Sequence, residues 1–294
     1  MATLHHGSAV QHPIISLNGR FISSNNSPLS PLDRGFTFGD GVFETMKVVD
    51  SVVWYLDRHL ARLSHGAARL GIVVPAEIRQ WIDQVLQETR SLTSYGLRIT
   101  LTRGPTQTHG LAGHNGQEPT LAITTFDLPK RQHASYEYGL HVLIASFRRY
   151  EHGPTIGIKT TNYLESILAL REAVAAGYDE AIFLDTRGFV SEASASNIFL
   201  WSDSRLVTPA RTCGILPGIT RAIVLELATR AGIPTAEQEV PEDNLYQAEE
   251  LFLTSSLREI VPVIQVNGCL IGTGAPGSIT QQLTTHYNAV IERV

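Results

Sequence analysis

What most constrains this fold is how its β-like runs are joined. Residues 14–22 (IISLNGRFI) turn at Asn18-Gly19, a dipeptide suited to the positive φ of a two-residue hairpin. Residues 42–56 (VFETMKVVDSVVWYL) read as two strands folded back around Asp50-Ser51. The runs 96–103 and 119–126 are separated by a Gly-rich loop, GPTQTHGLAGHNGQ, rather than by a helix. A doubly wound parallel sheet needs a long crossover, usually helical, between parallel strands. Frequent hairpins without a βαβ rhythm predict an α+β fold instead.

Helical spacing appears between these runs. Leu60, Leu63, Ala67 and Leu70 repeat on one face and stop at Gly71. A second helix is predicted over about 76–90, and a third, capped by Thr161 or Asn162, up to about Gly177. Another runs from about Gly218 to near Gly232, and the chain closes with a helix from about 277. Further strands are predicted at 139–147, 180–185, 197–201, 205–208 and 250–255. The polar stretch DLPKRQHAS interrupts this pattern. It predicts a small α+β domain over 1–127, a linker over 128–136, and a larger α+β domain over 137–294 that carries Lys159.

Charge and apolar content exclude several classes. The net charge is −5 and no basic cluster stands out, so nucleic acid is not expected as a partner. No run approaches membrane-spanning length, and the N-terminal stretch lacks the pattern of a signal peptide. His5 and His6 read as part of a solvated terminus rather than a metal site. Cys213 and Cys269 form neither a disulfide framework nor a metal spacing. A cytoplasmic location is the expectation.

Lys159 is one of only three lysines, with Lys47 and Lys130, beside twenty arginines. Arginine serves equally well as a surface cation, but only lysine forms an imine with a carbonyl. Lys159 follows an apolar run and precedes a predicted helix, so it is expected to point inward. A nucleophilic lysine implies a carbonyl partner, and pyridoxal phosphate is the obvious cofactor. Such a cofactor requires an acid at its pyridine nitrogen and a phosphate cradle. Glu192, in VSEASASNIF, is the candidate acid. The cradle has three candidate parts: the helix start at Gly218-Ile219-Thr220, the hydroxyls of Ser255 and Ser256, and Arg62 on the predicted helix.

In this order the motifs resemble the fold-type IV, or class IV, pyridoxal-phosphate aminotransferases. The resemblance rests on DRGFTFGDGVFET (33–45), HLARL (59–63), GIKTTNYL (157–164), VSEASASNIF (190–199), ILPGITR (215–221) and LTSSLREIVPV (253–263). It implies a two-domain enzyme with the cofactor at the domain interface, in a homodimer whose loops complete each site. Lys159 would hold the cofactor and move a proton. Glu192 would pair with the pyridine nitrogen, and Arg62, Gly218, Ile219, Thr220 and Ser256 would hold the phosphate, with Ser255 adjacent. Leu216 would pack on the ring, Tyr163 would lie near its phenolic oxygen, and Arg148 would orient the site.

On the substrate side the resemblance implies Phe43, Arg98, His109 and Leu257. D-Amino-acid enzymes of the family use an Arg-x-His trap after TRG. Here RGPTQTH keeps the histidine without the arginine. Arg98 stands where branched-chain enzymes and some aminodeoxychorismate lyases carry an arginine that a substrate carboxylate can meet, while GVFET is closer to the lyases and D-enzymes. Two reactions therefore stay open: transamination between an amino acid or amine and a 2-oxo acid, and elimination of pyruvate from aminodeoxychorismate. A binding protein that has lost catalysis is the third reading, and intact Lys159, Glu192 and Arg62 speak against it.

Overall fold

The structure is a computed structural model that describes residues 13–23, 28–107, 110–112, 118–128 and 136–291. The chain forms two compact units: Met1–Pro129 with Ile158–Asn162, and Lys130–Gly157 with Tyr163–Val294. Both combine helices with a sheet, the α+β class expected from the hairpins.

The first unit is built on a six-stranded antiparallel sheet. Its strands are β1 (Ile15–Leu17), β2 (Arg20–Ile22), β3 (Gly41–Val49), β4 (Val52–Val53), β5 (Ser94–Thr102) and β6 (Thr120–Phe126), in the order β2-β1-β6-β5-β3-β4. Asn18 and Gly19 both adopt positive φ, as the first hairpin requires. Asp50 and Ser51 do the same without a glycine. Among the described residues this unit has the helices α1 (Arg34–Phe38), α2 (Leu56–Leu70) and α3 (Ile78–Glu88). Gly71 ends α2 in the left-handed conformation, returning its N–H to the carbonyls of Ala67 and Ala68. Alternation along β3 turns Val42, Met46 and Val48 toward Leu60, Leu63 and Ala67 of α2. Truncating a fully buried leucine such as Leu63 to alanine costs about 2–5 kcal/mol.

The Lys159 segment departs from expectation. It was placed in the second domain, yet Ile158–Asn162 belongs to the first unit. The reason is backbone pairing with the start of β3. Phe43 donates its N–H to the Lys159 carbonyl at 2.9 Å, and Thr161 donates to the Gly41 carbonyl at 2.9 Å. Ile158 joins the first core, and a Cβ on Gly66 of α2 would lie 2.9 Å from its Cγ2. Only glycine lets helix and segment approach so closely. Thr161 and Asn162 are not caps. Their side chains bond the Gly39 carbonyl, at 2.7 and 3.0 Å, and the following helix starts at Tyr163 with no side-chain cap.

The second unit carries a nine-stranded mixed sheet among its described residues. Its strands are β7 (Leu140–Ile144), β8 (Glu180–Leu184), β9 (Val190–Ala193), β10 (Asn197–Ser202), β11 (Arg205–Pro209), β12 (Thr235–Gln238), β13 (Glu250–Ser255), β14 (Glu259–Val266) and β15 (Cys269–Leu270). The order is β12-β11-β10-β13-β14-β7-β8-β9, with β15 paired to β14. Its helices with described bounds include α4 (Leu164–Ala175), α5 (Ile219–Arg230), α6 (Asp243–Gln247) and α7 (Ser278–Ile291). The strands expected from sequence do not include β9, β12, β14 or β15; β9, β12 and β15 are two to four residues long, too short to show a period, whereas the eight-residue β14 is a plain omission. Among the described residues no helix is long and apolar enough to cross a membrane.

Candidate active site

The first unit holds the candidate nucleophile. Lys159 is half-buried on its extended segment, with Nζ 4.6 Å from the centre of the Phe43 ring. The guanidinium of Arg98 lies 3.7 Å from the same ring centre and donates from Nε to Thr100 Oγ1 at 3.1 Å. β3 and β5 pair Phe43 with Thr100 and Thr45 with Arg98, so these side chains share the face opposite the core. Both distances fall within the range over which a cation is attracted to an aromatic ring.

Arg62 is another expected residue of this unit. It lies on α2 and donates from Nε and Nη2 to the two oxygens of Glu44, each at 2.7 Å. His59, one turn earlier on α2, meets Glu44 Oε2 through Nδ1 at 2.6 Å. Glu44 is fully buried and His59 nearly so. Burial alone pushes the Glu44 carboxyl up, but hydrogen bonds from Arg62 and His59 outweigh it and hold the pKa below its ordinary value. Burial pulls His59 below its ordinary value against the opposing attraction of Glu44. An ionised carboxylate only accepts, so His59 meets Glu44 through Nδ1–H, beside the charge of Arg62.

In the second unit Glu192 lies on β9, not on a turn. Arg149 Nη1 donates to its Oε1; Asn197 Nδ2 and the Leu216 N–H donate to its Oε2, at 3.0 and 2.9 Å. The guanidinium of Arg149 also lies 4.1 Å from the centre of the Phe183 ring. Sequence reading assigned the orienting role to Arg148. Arg148 is exposed, and its neighbour makes the contact, because Arg149 bridges to Asp185 and so turns toward the sheet.

Asn197 ties Glu192 to the candidate cradle. Its Nδ2 also donates to the Leu216 carbonyl at 2.9 Å. Beyond Leu216, α5 opens at Gly218 with no side-chain cap and no acidic residue in its first turn. Ile219 and Thr220 thus begin a helix whose first N–H groups have no side-chain cap. Ser256 and Leu257 form the turn between β13 and β14. That turn is fastened on several sides. Arg258 N–H donates to Ser255 Oγ at 3.3 Å, Arg258 Nη1 to Glu180 at 3.0 Å, and Tyr136 Oη to the Arg258 carbonyl at 2.8 Å. Tyr163 is half-buried at the start of α4, and His109 lies outside the described residues.

Glu44, His59, Arg149 and Asn197 were not found from sequence. Glu44 carried a legible signal, a carboxylate in an apolar strand on the core face. Asn197 carried none, since its role depends on two other segments.

Three comparisons bear on this arrangement. The family model described as amino-transferase class IV matches residues 41–266. The chain is 36% identical over 279 residues to a protein of Methanocaldococcus jannaschii provisionally assigned as a branched-chain-amino-acid aminotransferase, covering 94% of this chain and 96% of that one. It is 31% identical over 274 residues to the D-alanine aminotransferase of Bacillus licheniformis, covering 92% and 94%. The solved 4-amino-4-deoxychorismate lyase of Pseudomonas aeruginosa superposes with a TM-score of 0.85 at 30% identity, covering 94% and 98%.

Proposed function

The chain belongs to the class IV aminotransferases, and from that premise we propose that Lys159 is its catalytic amine and Glu192 its pyridine-nitrogen partner. The enzyme is a pyridoxal-phosphate-dependent transaminase that moves an amino group between an amino acid and a 2-oxo acid. The donor set fits that cofactor. It comprises a primary amine, a carboxylate held by three N–H donors, an arginine, and an uncapped helix start.

When bound, pyridoxal phosphate supplies an aldehyde that captures amines and a ring that withdraws electrons from the neighbouring Cα–H bond. Lys159 would hold the aldehyde and move the proton at Cα. Glu192 would accept from the pyridine nitrogen, and Leu216 would pack against the ring. Arg62, Gly218, Ile219, Thr220 and Ser256 would hold the phosphate. Phe43, Arg98 and Leu257 would face the substrate. Lys159 carries the reading, since its backbone is pinned to β3 while its amine lies over an aromatic ring.

Borohydride reduction followed by peptide mapping tests it. The cofactor should be fixed to Lys159. Label on Lys47 or Lys130, or none, would sink the assignment. A half-reaction panel then separates the chemistries: amine-form cofactor accumulating with an amino acid marks a transaminase, and pyruvate released from aminodeoxychorismate marks a lyase.

The working form is proposed to be a cytoplasmic homodimer. Leu164, Ile167, Leu168 and Val174 leave exposed apolar surface on α4, which supports an association face. An active monomer in sedimentation would refute it.

A further inference from the structure

The cluster around Glu44 is more elaborate than packing requires. Glu44 shares its face of β3 with Val42, Met46 and Val48, where a carboxylate is costly unless fully paired. A buried ion pair is also a poor stabiliser compared with apolar side chains of the same volume. Here both carboxylate oxygens clamp one edge of the Arg62 guanidinium, and His59 holds Oε2 from the side. This fork geometry fixes the guanidinium plane as well as its position. An arginine fixed before its ligand arrives loses little side-chain freedom on binding.

We propose that Glu44, braced by His59, is a positioning residue that aims Arg62 at the phosphate monoester of the cofactor. This rests on the assignment of Arg62 to the phosphate. Glutamine at position 44 cannot reproduce the clamp. Whichever way its amide turns, one N–H faces an N–H of Arg62, and the guanidinium loses its counter-charge.

The test compares apo-protein binding of pyridoxal 5′-phosphate with that of pyridoxal, which has the aldehyde but no phosphate. Glu44→Gln should lower the ratio of the two affinities about tenfold or more, the worth of one charge-assisted contact, and leave pyridoxal binding little changed. Arg62→Ala should lower the ratio by itself. In the Arg62→Ala background Glu44→Gln should then change the ratio hardly at all, because Glu44 acts through Arg62.

A folded Glu44→Gln protein with the wild-type ratio overturns the proposal, as does an effect that persists without Arg62. An Arg62→Ala protein with the wild-type ratio overturns the phosphate assignment as well. If circular dichroism shows Glu44→Gln unfolded, His59→Gln provides the measurement. Losing that brace should still lower the ratio severalfold, and an unchanged ratio counts against the proposal.

Discussion

Gly218→Ala should be costly for a reason unrelated to glycine's backbone freedom. Gly218 has φ −67° and ψ 139°, a conformation open to any residue. What it lacks is space. A Cβ there would lie 1.9 Å from Asn197 Oδ1 and 3.3 Å from Arg221 Cβ. Asn197 is itself buried, so it yields only by leaving its place. It then gives up the bond to the Glu192 carboxylate and the bond to the Leu216 carbonyl. The first is worth about 1.5–3 kcal/mol and the second about 1 kcal/mol. The stiffer unfolded chain returns about 0.4–1 kcal/mol, so the net destabilisation is roughly 1.5–3.5 kcal/mol. Urea unfolding of the apo-protein measures it. Gly153→Ala is the control: its Cβ would meet nothing nearer than 3.5 Å, and it should stay within about 0.5 kcal/mol of wild type. If the clash is the cause, Gly218→Ala should add almost nothing once Asn197 is already alanine. Full additivity of the two substitutions would refute the reasoning.

Arg149→Ala should destabilise by about 3 kcal/mol, because it strips a largely enclosed carboxylate, 12% exposed, of its cation, whereas exposed Arg148→Ala should stay within about 0.5 kcal/mol; paired urea titrations decide between them. Acid should weaken the first unit in two stages. His59 and Glu44 both have folded pKa values below their ordinary 6.5 and 4.5, so the unfolded chain takes up each proton at a higher pH than the folded one. Their contribution is complete above the ordinary histidine value and is lost as pH falls through it and then through the carboxylate range. Thermal melts from pH 8 to 4 should show this decline, with its upper part missing in His59→Asn; an unchanged upper part would count against a neutral, buried His59.

Much of this protein was legible without coordinates because the signals were local. Asn18-Gly19 announced a hairpin through its own tolerance of positive φ, and Gly71 ended α2 for the same reason. The 3.6-residue spacing of Leu60, Leu63 and Ala67 set the buried face of α2, and the lack of a βαβ rhythm set the α+β class. Lys159, Glu192 and Arg62 stood out because few side chains can form an imine, face a pyridine nitrogen or fork a phosphate, and because they occur in ordered motifs.

What sequence left undecided depends on pairs far apart in the chain. Ile158–Asn162 joined the first unit through backbone bonds to residues more than a hundred positions earlier, which no local pattern records. Those same bonds drew Thr161 and Asn162 away from the capping role their chemistry predicts. The choice of Arg149 over Arg148 turned on which residue bridges to Asp185, since adjacent residues on an extended segment face opposite ways. Nothing in the sequence pairs Glu44 with His59 and Arg62. Only the packing of α2 on β3 brings them within hydrogen-bonding distance in a dry core, where charge must be matched by charge and each N–H needs an acceptor.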